Sequence, residues 1–399
     1  MCVTSLSYNN RLKIARRQQV SELGVLIVCT LCLAIALLFC CSGDAFPVTM
    51  FDLKKEQINA TKIETPVPVI GILTQVLRDY KRFTDKRHLH LVASYVKWIE
   101  SSGAQVIPIL LNKDDDYYER IFRKTNGLLL PGGDNLLDPQ KQTPMMVAAK
   151  KLYRLAVEAN DRGDYYPIWG TCLGFELLSV LTADKNVLSD CLANDILLKM
   201  DFVESGKMFE PSNYLDVSLG SKDYSEAMVE LMTKENLTYN FHHKCLLEKS
   251  LGEASLDKFY RTLAYSTDPS GVRFISAFEA FEYPFFGVQF HPEKPSFEFV
   301  VKKDQTKLPH SQHARAVSRY FADFFVAQTR KNGHRIGVDE IRNDLIYAYQ
   351  PTYTAPLKDM YEQRYLFPYD ETSKLSTEEF IDRDLSDDEH ANEDVTPAS

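Results

Sequence analysis

The 399-residue chain lacks a basic excess: its formal net charge is -9 at pH 7, and no basic stripe or groove signature is present. Binding to nucleic acid is therefore not expected. Internal repeats are absent, so the chain is not a stack of small units. Cysteine is scarce over most of the length. Of eight cysteines, Cys2, Cys29, Cys32, Cys40 and Cys41 fall in or before one apolar run, and only Cys172, Cys191 and Cys245 follow it. Charge is absent altogether from Leu23 to Gly43. At the other end, Asp370 to Ser399 holds eleven acids against two bases, so this tail carries the whole imbalance. It has too little apolar surface to offset ordering entropy, and disorder is expected there.

What is present begins with that uncharged run. Arg11, Lys13, Arg16 and Arg17 precede it, which keeps its N-terminal side cytoplasmic. The run reads as a membrane-targeting segment. Its length suits a cleaved signal peptide, with a core of roughly 7–15 residues, or an anchor of about 20. Gly43-Asp44-Ala45 is a small-residue cleavage site and tilts the reading toward the signal peptide. Either way, Phe46 onward is expected in the secretory lumen or outside the cell. The sequons Asn59-Ala60-Thr61 and Asn236-Leu237-Thr238 agree weakly, since such triplets also arise by chance. Three cysteines on that side leave at least one thiol free, unless two chains are bridged. Cys172 has a chemical reason to stay free. A Cys191–Cys245 bridge is left open, because sequence gives no distance.

The remaining chain, 45% hydrophobic overall, can bury a substantial core. Apolar runs Pro68–Leu73, Val106–Leu111, Gly127–Leu130 and Tyr166–Trp169 read as buried parallel strands. Between them, Val92, Tyr95, Val96 and Ile99 recur at helical spacing, and Pro144–Ala159 is a second helix pattern. This alternation predicts an α/β domain with a mostly parallel central sheet. Residues 187–265 are less regular, with one helix near Ser225–Thr233. Strands follow at Arg273–Phe278 and Phe285–Phe290, then a helix from Ser311 to Arg330, capped by Ser311 and ended by Asn332-Gly333. The organisation is a leader or anchor (1–45), a linker (46–65), a catalytic domain (66–335), a C-terminal extension (336–369) and the acidic tail (370–399).

Three motifs fall at predicted strand ends, the edge where open α/β sheets bind ligands. The first is Gly170-Thr171-Cys172-Leu173-Gly174. A cysteine between a strand and a helix stands on a sharp turn, like the nucleophile of an elbow, and the helix N-terminus favours its thiolate. Alone this is moderate, since most cysteines are small buried hydrophobes. The second is His291-Pro292-Glu293, which offers a general base and the carboxylate that orients it. The third is Pro131-Gly132-Gly133, whose backbone N–H groups suit an oxyanion hole. By itself it would be an ordinary turn. Together they describe thiol acyl transfer. Cys172 attacks a carboxamide, Gly133 and Leu173 N–H groups hold the oxyanion, and His291 takes the thiol proton or already holds it as an ion pair. A zinc site from His242, His243 and Cys245 matches no common spacing. No metal and no cofactor are expected.

At these residues the chain resembles the class I glutamine amidotransferase fold, and within it the gamma-glutamyl hydrolase family. Pro68-Val69-Ile70-Gly71-Ile72-Leu73, Ala93-Ser94-Tyr95-Val96-Lys97, Leu130-Pro131-Gly132-Gly133, Trp169 to Glu176, Tyr283-Pro284 and Gly287 to Lys294 carry the resemblance, which spans about Pro66 to Asn332 with a weaker echo to Thr354. It implies a three-layer, flavodoxin-like sandwich. It also implies a lysosomal (or vacuolar) or secreted cysteine peptidase acting on folate or antifolate poly-γ-glutamates. By position, Cys172 is the nucleophile, His291 the base and Glu293 its orienter. His242 matches a family histidine near the site, and Glu176 an acid placed near the substrate's glutamate amine; Gly132 would also line the substrate. A homodimer is left open, and membrane contact is expected only through an uncleaved N-terminal segment. Three positions depart from the family: His90 stands for Tyr at the cleft edge, Lys244 for Trp and Phe290 for Trp. The same triad would serve a glutaminase feeding ammonia to a partner, but a synthetase domain is lacking and a lumenal address suits that poorly. A binding protein that lost turnover would not need all of Cys172, His291 and Glu293.

Overall fold

The computed structural model describes residues 65–78, 80–204, 206–210, 224–299, 307–335 and 337–369. The uncharged N-terminal run, the Asn59 sequon and the acidic tail lie outside these residues. Among the described residues no helix is long and apolar enough to cross a membrane.

The strands are β1 Val69–Leu73, β2 Gln75–Val76, β3 His88–Val92, β4 Gln105–Ile109, β5 Gly127–Leu130, β6 Ile168–Thr171 and β7 Leu188–Leu198. They continue with β8 Asp201–Phe202, β9 Thr238–Leu246, β10 Tyr260–Thr267, β11 Arg273–Ala280, β12 Phe285–Val288, β13 Pro351–Tyr353 and β14 Gln363–Pro368. The main helices are α1 Ala93–Glu100, α2 Asp115–Arg123, α3 Pro144–Asp161, α4 Leu173–Ala183, α5 Tyr224–Lys234 and α6 Gln312–Thr329.

An eight-stranded sheet runs β4-β1-β5-β6-β12-β11-β10-β8. The first five strands are parallel and the rest antiparallel. All five residues of β1 are buried, as a parallel strand covered on both faces requires. Pro108 sits in β4, an edge strand, where its missing N–H costs no ladder bond. On one face Trp169 of β6 meets Trp98 of α1 at 5.8 Å and Phe325 of α6 at 5.7 Å. On the other, Phe175 of α4 stacks on Phe278 of β11 at 4.3 Å. Each such buried ring contributes roughly 1.5–3 kcal/mol. Side-chain caps start the helices as their sequences suggest. Asp114 accepts the Tyr117 N–H, Thr143 the Met146 N–H and Ser311 the Ala314 N–H.

Among the described residues, the irregular stretch 187–265 holds β7, β8, β9 and the start of β10, with α5 where a helix near Ser225–Thr233 is expected. β7 and β9 pair antiparallel from Leu188↔Leu246 to Leu198↔Thr238, with register shifts around Ala193. Those shifts break the alternation that would have announced β7. A Cys191–Cys245 disulfide ties the pair, with Cα atoms 6.0 Å apart, and Cys172 is the free cysteine among the described residues. The polar, Tyr-rich stretch after Thr354 also holds structure. β14 pairs with β3, from Arg364↔Val92 to Pro368↔His88, in a four-stranded sheet ordered β13-β14-β3-β2. The C-terminal extension thus supplies two strands of that sheet.

Candidate active site

β5, β6 and β12 are neighbours in the main sheet and end at one edge. Gly132 and Gly133 follow β5, Cys172 follows β6, and His291 follows β12. The parallel run therefore gathers the three sequence motifs.

Cys172 has φ 50° and ψ −108°, a region costly for a residue with a side chain. Two hydrogen bonds hold it there. Its N–H donates to Val288 O at 2.9 Å, and its carbonyl accepts the Glu176 N–H at 3.0 Å. The flanking glycines are explained by close approach. A Cβ at Gly174 would lie 1.9 Å from Leu130 O, and one at Gly170 2.5 Å from Gly174 O. The thiol is buried beside the carbonyl of Phe241, 3.9 Å from Sγ.

His291 is buried too. Its Nδ1 lies 2.8 Å from Glu293 Oε1 and 3.5 Å from the Tyr95 hydroxyl. That leaves Nε2 for the thiol. A Cβ built on Gly132 would sit 2.7 Å from His291 Cε1 and 3.3 Å from Cys172 Cβ. The imidazole and the nucleophile therefore flank the same glycine, and only glycine fits between them. Burial pushes the Cys172 thiol well above its ordinary pKa and Glu176 adds to this, against Lys294 and the Leu173 N–H. Burial, then Lys294, lowers His291, against the pull of Glu293. The free site accordingly favours a neutral thiol and imidazole over the ion pair.

The glycine turn is divided between two tasks. The Gly132 N–H donates to the Tyr95 hydroxyl at 2.8 Å, and the Gly132 carbonyl accepts Gln75 Nε2 at 3.1 Å. Gly132 is thus structurally engaged. The Gly133 N–H has no acceptor among the described residues, as an oxyanion donor should. Leu173 opens α4, so its N–H has no intrahelical acceptor and is turned to the Cys172 sulfur, whose pKa it lowers.

The side chains of the other two sequence candidates have partners of their own, and charge links them to the triad: Glu176 to Cys172 and His242 to His291. Glu176 is buried one turn into α4, its Oε1 accepting Gln289 Nε2 at 2.9 Å. Burial pushes its pKa up to about 8, so it is neutral in acid. His242 packs on the disulfide, with Nδ1 3.6 Å and 3.5 Å from the two sulfurs and 3.0 Å from Lys244 O. Its Nε2 lies 3.1 Å from Asn240 Oδ1, so both ring nitrogens are engaged away from Cys172. Burial lowers its pKa to about 3. Potential ligand atoms of Cys191, His242 and Cys245 lie within 4.8 Å, but the two sulfurs are bonded to each other.

The peptidase C26 family model matches residues 68–293. This chain belongs to the peptidase C26 family. It is 37% identical to gamma-glutamyl hydrolase of Rattus norvegicus over 302 residues, covering 75% of this chain and 89% of the relative. Gamma-glutamyl hydrolase B of Dictyostelium discoideum is 35% identical over 309 residues, with 75% and 83% covered. Gamma-glutamyl hydrolase 1 of Arabidopsis thaliana is 30% identical over 308 residues, with 75% and 82% covered. Among solved structures, the glutaminase domain of Trypanosoma brucei CTPS with bound acivicin aligns with a TM-score of 0.39 at 14% identity, over 67% of this chain and 95% of that one.

In this C26 chain the positions that depart from the resemblance have structural neighbours of their own. His90 lies on β3 with Nδ1 2.7 Å from Arg364 Nη1 of β14. Lys244 makes an exposed ion pair with Asp190 at 2.5 Å. Phe290 is buried edge-on to Phe321 at 5.4 Å. Four residues around this site carry no role in the sequence reading: Gln75, Tyr95, Lys294 and Tyr361. Tyr95 lies on the apolar face of α1, where the helical spacing marks it as core. Tyr361 belongs to the extension, whose Gln363-Arg364-Tyr365-Leu366-Phe367 has the aromatic-rich composition of a strand, a signal that could have found it.

Proposed function

We propose that this chain hydrolyses γ-glutamyl amide bonds by thioester chemistry, with folate-type poly-γ-glutamates as substrates. The observation that carries the reading is the 2.8 Å Glu293–His291 contact beside an elbow cysteine on the adjoining strand. Family membership and the 30–37% identity to gamma-glutamyl hydrolases support the bond type.

The chemistry follows from the neutral resting pair. A carbonyl enters beside Cys172, and His291 Nε2 takes the thiol proton as sulfur attacks, so the thiolate never forms in isolation. The negative oxygen that develops is met by the N–H groups of Gly133 and Leu173. Glu293 stabilises the imidazolium and holds the tautomer that has Nε2 as acceptor. His291 then gives its proton to the leaving amine. Water, deprotonated by His291, opens the thioester and frees the γ-carboxyl.

A lysosomal, vacuolar or secreted location belongs to the same proposal. The Cys191–Cys245 disulfide supports an oxidising compartment, and Asn236 is exposed at its sequon. The test is incubation of the lumenal portion, from Phe46 onward, with a folate polyglutamate near pH 5 beside a Cys172→Ala control. Release of glutamate or short polyglutamate, absent in the control, is expected. A folded protein that cleaves nothing between pH 4 and 8 would sink the proposal.

A further inference from the structure

A groove of about 600 Å³ lies where the end of α2 meets the loops after α3 and α6, and Arg120, Arg123, Lys124, Arg162 and Arg335 line it. Two acids share the lining, Asp164 and Glu340. Asp164 is turned inward, its Oδ2 lying 2.9 Å from His334 Nε2 and its Oδ1 accepting Asn332 Nδ2 at 3.2 Å. Arg162 reaches it only at 4.0 Å. Arg120 lies over the Tyr117 ring, and Arg123 has no ion-pair or hydrogen-bond partner among the described residues. All three of these arginines are exposed, so their forks are open to a ligand.

The groove is not part of the catalytic site. α2 leads into the N-terminal end of β5, and Arg162 precedes that of β6, whereas Gly133 and Cys172 follow the C-terminal ends of the same two strands. It does lie near the end of β14. Phe367 packs on Tyr349 at 4.7 Å. Burial, then the Asp344 carboxylate, raises the Tyr349 hydroxyl, and Asp344 pairs with Lys124 of the groove at 2.7 Å. Just past β14 the chain runs on from Asp370 to Ser399 with eleven acids against two bases, while acids and bases balance over the rest of its length. Such a segment can reach about 100 Å at about 3.3 Å per residue. The most concentrated negative charge of the chain is thus tethered beside an open arginine groove.

We propose that the groove binds the chain's own acidic tail, Asp370 to Ser399, as an intramolecular electrostatic clasp. Carboxylates of the tail pair with the guanidinium forks of Arg120, Arg123 and Arg162. Each exposed pair is weak, so docking needs several at once and the tether that keeps the tail near. The clasp also disposes of a conflict. A loose acidic tail would repel a polyanionic substrate, whereas a docked one is paired and held at the far edge of the sheet. That consequence rests on the γ-glutamyl reading above; the docking itself does not.

The test uses a fluorescent peptide of sequence 370–399 and two full-length chains at low salt, the parent and one with Asp→Asn and Glu→Gln at all eleven tail acids. The neutral-tail chain should bind the peptide, read by anisotropy. The parent should bind it at least about tenfold more weakly, because a tether gives its own tail an effective concentration on the order of millimolar. Adding Arg123→Ser and Arg162→Ser to the neutral-tail chain should weaken binding about tenfold or more. Lys185→Ser with Lys258→Ser, which removes two exposed bases elsewhere, should leave it unchanged. Equal binding by parent and neutral-tail chain would overturn the proposal, since the parent's groove would then be open. So would no binding by the neutral-tail chain, or equal losses from the arginine and lysine pairs, which would reduce the effect to net charge. Competition by tripolyphosphate tests the other occupant. A groove that takes it as tightly in the parent as in the neutral-tail chain is a general anion site, and the tail is not its ligand. Cleavage of a folate polyglutamate is measured separately, so failure of the clasp and failure of the hydrolase are told apart.

Discussion

The Tyr95 hydroxyl accepts the Gly132 N–H at 2.8 Å while lying 3.5 Å from His291 Nδ1. One α1 side chain thus spans the glycine turn and the base. By occupying the Gly132 N–H, it leaves the next N–H, that of Gly133, as the turn's donor to an oxyanion. Tyr95→Phe removes the acceptor and strands a buried N–H. A loss of about 1–3 kcal/mol in stability is expected. Because the turn then drifts, kcat should fall up to about 10²-fold with KM nearly unchanged. Denaturant melts and steady-state kinetics check both; a variant with full kcat would show that Tyr95 does not aim Gly133.

Glu293 is buried with one oxygen on His291, so its substitution tests orientation rather than folding. Glu293→Gln keeps shape but can donate to Nδ1, which favours the tautomer with its proton on Nε2. That tautomer cannot accept from Cys172. A fall in kcat of about 10²–10⁴ is expected, with KM little changed. Cys172→Ala should abolish turnover under the same assay.

Glu176 makes stability depend on pH. Its folded pKa is about 8, against an ordinary value of 4.5. Between these values the folded state holds a proton that the unfolded chain releases. Stability from this group is therefore fully present below about pH 4.5 and declines as pH rises toward 8. Glu176→Gln should flatten that limb of a stability–pH curve measured by urea unfolding. An unchanged slope from pH 5 to 8 would show that Glu176 is ionised in the folded protein.

The strands that build the catalytic edge were legible because each is a short apolar run closed by glycine, cysteine or histidine. β5, β6 and β12 lie within a few residues of the runs that the sequence marks, and Cys172 and His291 stand just past two of their ends. β7 was not legible because its bulges spoil the alternation of burial. β14 was missed because tyrosine and arginine make Tyr361–Phe367 look polar, although Arg364 is buried against Asp359 and Tyr361 packs on Lys294. The tasks of Tyr95 and Gln75 could not be read either. Both depend on which backbone groups of a distant turn they reach, and no local pattern encodes that.

The disulfide joins β7 to β9 across 54 residues of chain, and β9 carries the Phe241 carbonyl to the thiol. A closed loop of that length contributes about 4 kcal/mol by the chain-entropy estimate. Cys191→Ser with Cys245→Ser should lower the unfolding midpoint accordingly, and reductant should do the same to the parent and nothing further to the variant. A parent whose midpoint ignores reductant under conditions that open the bond would exclude this contribution.

The C-terminal extension is held by a buried pair, since Arg364 bonds Asp359 through Nε at 2.5 Å and Nη2 at 2.8 Å, and turns Nη1 to His90 at 2.7 Å. Between the partners in sequence lies Tyr361, whose ring faces Lys294 Nζ at 5.3 Å. Asp359→Ala leaves a guanidinium buried without its carboxylate, which costs about 3–5 kcal/mol. It should also loosen Tyr361, so kcat/KM on a γ-glutamyl substrate should fall even where the protein remains folded. Replacing Asp359 with Ala and Arg364 with Met together removes both charges and should recover most of the stability. Activity should recover only as far as Tyr361 returns to its place over Lys294. A double variant that regains stability and still lacks activity would show that the pair positions the wall of the site, and one that regains both would show that packing of β14 on β3 suffices to hold it. Wild-type activity in Asp359→Ala itself would separate the extension from catalysis.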